Sequence, residues 1–267
     1  MASVSAKDPV EVVSLGRGLQ ILRSFRALDA PLGNKEIAER TQLPKATVAR
    51  LTYTLCKMGY LRQIGPHGQF HLADKVTGLG HSLLRTLSVR QIADPLMQEL
   101  ADRFEMSVAL GIGDGADMVY LNYCSGPETV TMRLRVGSLI PIAHTAMGRS
   151  YMWGLAEPAR RHHMEMIRRS VGPEKADSVE EMLTEEIHSV EEKGFSVSFG
   201  DWRRQIYAVG APVWLDNGET VLALNCGTRA IGLDRARFPD TLGPELISVS
   251  NEISHRMNQL GANFWSE

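Results

Sequence analysis

One helix-length stretch near the start of the sequence carries basic and hydroxyl side chains at regular spacing. Its polar members are Lys45, Thr47, Arg50 and Tyr53. The apolar residues that recur on the other side of the same helix are Val48, Leu51, Leu55 and Met58. Lysine and arginine bind phosphates, and arginine and threonine also reach base edges in the major groove. The pattern favours a helix that contacts DNA, although an ordinary surface helix pair would show the same spacing.

The side chains of this helix would have different tasks on DNA. Thr47 and Arg50 are the candidates for base edges, where an arginine–guanine pair discriminates by roughly 1–3 kcal/mol. Lys45, Tyr53 and, further upstream, Arg17 are the candidates for phosphate contacts. Phosphate contacts add affinity and salt dependence without reading the base sequence.

A second candidate site is a junction between a loop and a helix in the middle of the chain. The run there is His144-Thr145-Ala146-Met147-Gly148. The first N–H groups of a helix have no partner inside it and carry partial positive charge, which favours an anion such as a carboxylate. We expect the N–H groups of Ala146 and Met147 to be the donors. Alternatively, these two residues only pack the helix against a sheet.

Three helices are predicted before residue 60. The first spans residues 14–28, with Ser14 as its N-cap. Its expected apolar stripe is Leu15, Leu19, Leu22 and Phe25. The second surrounds Ile37 and Ala38, and the third is the basic helix, which Gly59 ends.

A hairpin is predicted directly after these helices. Its strands are residues 60–64 and 69–72, and its tip holds Pro66 and His67. Three helices followed by a two-stranded hairpin is the order of a winged helix-turn-helix. In that fold the tip, with His67, could reach an adjacent minor groove or the backbone.

The charge distribution supports two different modules. Residues 10–75 hold ten Lys/Arg and five Asp/Glu, whereas residues 76–267 hold eighteen and twenty-five. A basic first quarter followed by an acidic remainder is typical of a DNA-contacting module joined to another module.

The rest of the chain alternates helices and strands, which predicts an α+β domain with a largely antiparallel sheet. The predicted helices are residues 74–89, 91–104, 144–155, 158–170, 178–194 and 244–260. The predicted strands are residues 107–112, 118–123, 129–136, 195–199, 206–214 and 220–226. Residues 137–141 are expected to form a loop.

Composition excludes several classes of protein. With 267 residues and 43% apolar residues, the chain can bury one large core or two ordinary ones. The three cysteines are too scattered for a disulfide framework or a zinc site, and no complete dinucleotide motif occurs. We therefore expect no metal and no cofactor. The lack of a signal core or an 18-residue apolar run predicts a cytoplasmic protein without a membrane partner.

Short motifs spread over nearly the whole chain point to one family. In the first part they are Ser14-Leu15-Gly16-Arg17-Gly18-Leu19, Glu36-Ile37-Ala38, Leu43-Pro44-Lys45-Ala46-Thr47-Val48-Ala49-Arg50-Leu51 and Gly59-Tyr60-Leu61. In the second they are Val136-Gly137-Ser138 with Pro141, His144-Thr145-Ala146-Met147-Gly148-Arg149, Gly194-Phe195 with Asp201, and Ala211-Pro212-Val213. Together they resemble the IclR family of bacterial transcriptional regulators.

The resemblance implies a flexible tail (1–12), a winged helix-turn-helix DNA-binding domain (13–73), a linker helix (74–90) and a GAF-like effector domain (91–262). It also implies a homodimer, possibly a dimer of dimers, on double-stranded operator DNA. Two recognition helices would then read half-sites about 34 Å apart or a multiple of that distance. The effector would be a small organic molecule.

The resemblance also suggests which residues hold the effector. They are Gly137, His144, Ala146, Met147, Asp201, Ala208, Asn225 and Cys226. Asp201 could bind a ligand hydroxyl or cap a turn. Where the family usually has serine-containing residues and Gly-Pro, this chain has Asn225-Cys226-Gly227-Thr228-Arg229. The ligand is therefore expected to differ from that of better-known members.

The function that these patterns favour is regulation of transcription, with operator binding modulated by a small carboxylate or aromatic acid. The alternative is a metabolic enzyme or sensor that binds a small acid and uses its first domain only for dimerisation. That alternative needs a catalytic arrangement, and no nucleophile motif occurs in the sequence. We therefore expect no catalytic residues.

Overall fold

The structure is a computed structural model that describes residues 12–26, 31–65, 68–127, 129, 134–231 and 233–260. It divides into two compact units, Met1–Leu83 and Leu84–Glu267. The boundary between the units lies inside the helix Lys75–Thr86. Among the helices of the described ranges, none is both long and apolar enough to cross a membrane.

The first unit consists of helices followed by an antiparallel hairpin. Its elements are α1 (Val13–Arg23), α2 (Asn34–Thr41), α3 (Lys45–Met58), β1 (Leu61–Ile64) and β2 (Gln69–Leu72). Leu32 adds an isolated bridge to Phe70 on β2. This order confirms the predicted winged helix-turn-helix. His67, at the predicted tip of the wing, lies outside the described residues.

Apolar residues from all five elements and from Leu32 form the core of this unit. They are Ile21, Leu32, Ile37, Ala38, Val48, Leu55, Leu61 and Phe70. Gly59 ends α3 at a φ of 80°, a left-handed conformation that glycine adopts without strain. Tyr60 N–H then donates to Leu55 O at 2.9 Å. This turn directs the chain from α3 into β1.

The predicted bounds of α1 need correction. The helix begins at Val13 with Val12 in the N-cap position, so Ser14 lies inside the helix and does not cap it. It ends at Arg23, before the predicted end at residue 28, and residues 27–30 lie outside the described ranges.

The predicted apolar stripes are wrong at some positions. On α1, Leu15 and Leu19 are 63% and 53% exposed, whereas Ile21 is fully buried. On α3, Met58 is 52% exposed and Thr52 is buried instead. The threonine hydroxyl can be buried because it donates to the carbonyl oxygen one turn back, Val48 O, at 2.9 Å.

The second unit is an α+β domain. Helix α4 (Lys75–Thr86) leads into it, and its helices are α5 (Ser88–Phe104), α6 (Ala146–Gly154), α7 (Glu157–Val171), α8 (Pro173–Lys193) and α9 (Arg237–Gln259). Its strands are β3 (Ser107–Asp114), β4 (Asp117–Ser125), β5 (Leu139–Pro141), β6 (Ser196–Phe199), β7 (Ile206–Leu215) and β8 (Thr220–Arg229). The strands pair antiparallel in the order β5-β4-β3-β8-β7-β6. The predicted antiparallel sheet is confirmed.

Each face of this sheet is covered by a different apolar core. Helices α5 and α9 pack on one face together with Leu222, Leu224 and Cys226 of β8. Helices α6, α7 and α8 pack on the other face, where β8 contributes Val221 and Ala223. Successive residues of a strand point to opposite faces, so β8 serves both cores in alternation.

Several predicted bounds in this unit are also corrected. Helix α8 begins at Pro173, and Ser178 lies inside it, with its hydroxyl donating to Lys175 O at 3.0 Å. Helix α9 begins at Arg237 and keeps Pro244 in its interior. Pro244 lies beyond the first turn of α9, so it does not mark the start of the helix.

The predicted strand over residues 129–136 is not found where the chain is described. Residues 128 and 130–133 lie outside the described ranges, and residues 134–136 are not in a strand. A short strand, β5, lies instead within residues 137–141, which were expected to form a loop. It pairs with the start of β4 at the edge of the sheet.

Candidate functional site

The exposed side of α3 is the candidate DNA interface. Its buried side runs through Val48, Thr52 and Leu55, which fixes the orientation of the helix on the core. Arg50 and Tyr53 lie on the side away from these residues, and Tyr53 is 61% exposed. A basic and an aromatic side chain three residues apart can therefore contact a ligand outside the unit.

The other predicted DNA residues lie at the start of α3 and on α1. Lys45 is the first residue of α3 and is exposed, whereas Thr47 is half-buried. Arg17 is exposed on α1. Thr47 and Val48 donate their N–H groups to Pro44 O at 2.9 and 3.0 Å, so the first turn of the helix is regular.

Two contacts of α3 were not predicted from the sequence, one on its exposed side and one on its buried side. The ammonium group of Lys57 lies 5.1 Å from the ring centroid of Tyr53, a cation–π contact on the exposed side of α3. Thr52 donates to Asn34 Oδ1 at 3.1 Å and so joins α3 to the start of α2. The i, i+4 spacing of Tyr53 and Lys57 was the available signal for the first contact.

The second unit contains a cavity between its sheet and the N-terminal end of α6. Counted together with its open mouth and the solvent there, the space between the walls is about 660 Å³. Residues on its walls include Ala109, Tyr120, Ile140, Ala146, Ala208 and Asn225. Apolar walls with a few polar groups are typical of a site for a small organic ligand.

The N-terminal end of α6 presents unpaired N–H groups. Thr145 caps the helix, since its hydroxyl oxygen accepts from Gly148 N–H at 3.2 Å and its O–H donates to Pro141 O at 2.7 Å. The N–H groups of Ala146 and Met147 have no hydrogen-bond partner among the described residues. Ala146 lines the cavity, and Met147 does not.

Helix α6 approaches the sheet closely because glycines leave room for its backbone. A Cβ atom on Gly210 of β7 would lie 2.4 Å from Ala146 O, and one on Gly148 would lie 2.2 Å from Ile142 O. Real Cβ atoms do not come this close to backbone atoms. Gly210 therefore allows the start of α6 to lie against β7 at the edge of the cavity, and Gly148 allows α6 to lie against the segment that precedes it.

Tyrosines form one side of the cavity. Tyr120 is 4% exposed, and its ring stacks on that of Tyr123 at 6.4 Å between centroids. Burial raises the pKa of Tyr120, and its hydrogen bond with Asn225 opposes this shift in part. The Tyr123 hydroxyl lies 2.9 Å from Ser107 Oγ. At neutral pH the Tyr120 hydroxyl is therefore uncharged and can hydrogen-bond.

Two arginines lie at the mouth of the cavity. Arg203 and Arg229 both line it and are exposed, and the Arg203 guanidinium lies 4.5 Å from the ring of Trp202. Neither guanidinium has a carboxylate within 4 Å in the described part of the chain. The described lining contains no Asp or Glu. Neither arginine could be assigned to this site from the sequence, because nothing local places them beside Ala146.

The structure brings some of the predicted effector residues together and separates others. Ala146, Ala208 and Asn225 line the cavity. Gly137 lies next to it, where its N–H donates to Tyr120 O at 2.8 Å. Met147 is fully buried in the core under α6. The other three predicted residues, Cys226, Asp201 and His144, do not line the cavity.

Cys226 faces the opposite side of the sheet from the cavity. Its thiol is fully buried in the core under α5 and α9, 3.8 Å from Met106 Sδ. Burial raises the pKa of this thiol to about 12, so it stays protonated at neutral pH. The strand alternation that directs Asn225 into the cavity directs Cys226 away from it.

Asp201 and His144 lie beside Arg149 and do not line the cavity. Asp201 Oδ2 forms an ion pair with Arg149 Nη1 at 2.9 Å. Burial lowers the pKa of His144, the positive charge of Arg149 lowers it further, and Asp201 opposes the shift. The ion pair with Arg149 is a further contact of Asp201, beside the predicted alternatives of ligand binding and turn capping.

Comparison with known proteins identifies the family of both units. The IclR helix-turn-helix domain model matches residues 14–65, and the model of the bacterial transcriptional regulator IclR C-terminal domain matches residues 81–255. The second match alone covers more than half of the chain.

Individual relatives agree with the family models. The chain is 30% identical over 250 residues to the HTH-type transcriptional regulator TsaQ1/TsaQ2 of Comamonas testosteroni, covering 92% of this chain and 88% of that protein. It is 25% identical over 251 residues to the Pca regulon regulatory protein of Pseudomonas putida, covering 94% and 86%. A crystal structure of an IclR family transcriptional regulator from Brucella abortus has a TM-score of 0.84 and 38% identity over 96% of each chain. The chain therefore belongs to the IclR family of bacterial transcriptional regulators, with an N-terminal helix-turn-helix domain and a C-terminal effector domain.

Proposed function

We propose that this regulator binds operator DNA through α3 as a homodimer, and that a small organic acid in the cavity modulates this binding. The observation that carries the proposal is the set of unmatched donors around the cavity. They are the N–H group of Ala146 at the start of α6 and the guanidinium groups of Arg203 and Arg229. An anion would complete their hydrogen bonding and neutralise the charge at the mouth.

The walls indicate what the rest of the acid looks like. The rings of Tyr120, Tyr123 and Trp202 and the side chain of Ile140 line the cavity. Aromatic rings favour offset or edge contacts with another ring, worth about 0.5–1.5 kcal/mol beyond the buried area. The side-chain amide of Asn225 and the hydroxyl of Tyr123 offer hydrogen bonds to a ring substituent. An aromatic carboxylate therefore fits this cavity better than a purely aliphatic acid.

Exposed apolar residues support the dimer. Helix α4 has no buried residue, and its Leu79 and Leu83 are 60% and 41% exposed. Leu15 and Leu19 on α1 are also exposed. Apolar side chains of this kind are stabilised by burial against a second subunit. Two subunits would present two α3 helices to two half-sites of an operator.

The DNA part of the proposal is tested with the region upstream of the protein's own gene. Fluorescence anisotropy on a labelled fragment should show that Arg50→Ala weakens binding by about tenfold to a hundredfold, since one arginine–base contact is lost. Arg161→Ala removes another exposed arginine, on α7, and is the matched control. Equal affinities of the Arg50→Ala variant and the wild type would contradict the role of α3.

The effector part is tested with benzoate as the probe. Calorimetry should show benzoate binding to the full chain, and saturating benzoate should change the affinity for the operator fragment. A ligand shifts this equilibrium only by binding the DNA-bound and DNA-free states with different affinity. Turnover of benzoate by the pure protein, with no retention of DNA, would favour the enzyme alternative instead.

A further inference from the structure

The side chain of Arg149 is buried between three elements of the second unit. It projects from α6, one turn after Ala146, and is 2% exposed. Its Nη1 donates to Val197 O at 2.8 Å and forms ion pairs with Asp201 at 2.9 Å and Glu186 at 3.3 Å. A guanidinium this deeply buried is stable only with such carboxylate partners.

The partners of Arg149 lie next to cavity residues in the sequence. Val197 precedes Ser198 on β6, and Asp201 precedes Trp202 and Arg203, and all three of these following residues line the cavity. Arg149 itself shares α6 with Ala146, which also lines the cavity. The Nη1 atom of Arg149 therefore connects α6, β6 and the segment after β6, which all contribute to the cavity wall, although Arg149 itself does not line the cavity.

The β6–β7 loop, residues 200–205, is held near its start by this contact and at its end by a hydrogen bond from Ala230 N–H to Gln205 O at 2.9 Å. Strand β6 is already held by its pairing with β7. The loop leaves β6 at Gly200, whose φ is 94°, and folds back so that Ile206 N–H donates to Arg203 O at 2.8 Å. Among the described residues, the ion pair of Asp201 with Arg149 is the one that joins this loop to the rest of the unit.

We propose that Arg149 is a positioning residue of the effector site, which holds the β6–β7 loop through Asp201 so that Trp202 and Arg203 form the mouth of the cavity. This inference rests on the proposed function, because it assumes that an acid binds in the cavity. It assigns Asp201 a role through Arg149 and not through contact with the ligand. Loss of the ion pair should therefore increase the mobility of the loop, and as a consequence the acid should bind more weakly.

Glu186 provides a matched control for Asp201. Both carboxylates contact the same Nη1 atom, and both side chains are 38% exposed. Glu186, however, is on α8, which contributes no residue to the cavity lining. Asp201→Asn and Glu186→Gln thus remove the same charge from the same arginine, and only the first one releases the loop.

The experiment combines hydrogen–deuterium exchange and benzoate binding on the full chain. Asp201→Asn should speed exchange in the peptide covering residues 200–205 by about tenfold, whereas Glu186→Gln should stay within about twofold of the wild type. Calorimetry should show benzoate binding weakened by about tenfold in Asp201→Asn and nearly unchanged in Glu186→Gln. Thermal melting of both variants checks that each is folded.

The outcomes separate this inference from the proposed function. Equal loop exchange in the two variants, or equal benzoate affinity in them, overturns the role of Arg149. If the wild-type protein binds no benzoate, the proposed ligand class is contradicted, while loop exchange still decides whether Asp201 and Arg149 hold the mouth. Faster exchange spread over the whole unit would show a general stabilising contact and would also overturn the inference.

Discussion

The polar face of α3 comes from one helix, whereas the cavity takes its walls from residues as far apart as Ser107 and Arg229. On α3 the side chains that would contact DNA are exposed, and the buried ones lie on the other side. In the cavity, residues such as Tyr120 and Ala146 line the site and also belong to the packed interior. Substitutions on α3 should therefore change function alone, and substitutions in the cavity should change function and stability together.

The largest expected effect tests that coupling at Gly210. A Cβ on Gly210 would lie 2.4 Å from Ala146 O. Because both atoms belong to packed backbone, of β7 and α6, neither can move away without disturbing the core. Gly210→Ala should lower the free energy of unfolding by about 3 kcal/mol and abolish benzoate binding. Urea unfolding followed by circular dichroism measures the first effect. Gly18→Ala on α1 has no atom within 4 Å and should be neutral or stabilise by about 1 kcal/mol. Similar stability losses in both variants would contradict the comparison.

The next effect tests whether Arg229 recognises the carboxylate. Arg229→Met should weaken benzoate binding by about tenfold, since a charge-assisted hydrogen bond is worth about 1.5–3 kcal/mol and the arginine is exposed. Benzamide has the same shape without the charge, and its affinity should barely change. Calorimetry with the two ligands measures the difference. Equal losses for both ligands would show that Arg229 acts by packing.

A smaller effect distinguishes a phosphate contact from a base contact on α3. Lys45→Ala should weaken binding to operator and to unrelated DNA by the same factor, because phosphate contacts carry no sequence information. The slope of log affinity against log salt should fall by about one. Anisotropy titrations at several salt concentrations measure this slope. A loss confined to operator DNA would instead place Lys45 at a base edge.

The smallest effect concerns the pH dependence of stability, and it involves His144 of the second unit and no residue of α3. Burial and then Arg149 lower the pKa of His144, so the unfolded chain binds a proton on this residue more readily. This contribution to stability is present above the pKa of the unfolded chain and is lost as the pH falls through the lowered pKa. His144→Asn should therefore make the stability of the protein less dependent on pH below 6.5. Urea unfolding from pH 7 to 5 measures the slope, and identical slopes in variant and wild type would remove His144 as the cause.

Local patterns in the sequence were enough to predict α3, the wing strands and the start of α6. In each of them the signal lies within one element: the spacing on α3, the glycine at its end and the small residues after Thr145. The family motifs then supplied the order of the elements. Two helix starts were predicted too late: α9 was expected to begin at Pro244, which lies inside it, and α8 at Ser178, which lies after its first residue, Pro173.

The mouth of the cavity could not be predicted, because tertiary structure alone brings its parts together. Arg203 and Arg229 lie on different elements, and no sequence spacing relates them to Ala146. Asn225 and Cys226 are a different case. Neighbouring residues of a strand face opposite sides, so the sequence excluded a common wall for both once β8 was predicted as a strand. The ion pair of Asp201 with Arg149 again had no local signal.

The two arginines at the mouth also affect how fast a ligand arrives. Their field extends beyond the cavity, over a distance of about 8 Å at physiological ionic strength. An anionic ligand is drawn to the entrance before it touches the aromatic walls, and a neutral analogue of the same shape is not. The association rate constant of benzoate should therefore exceed that of benzamide, and the difference should shrink as salt is added. The mouth would thus favour anions through a higher association rate constant as well as through a higher affinity.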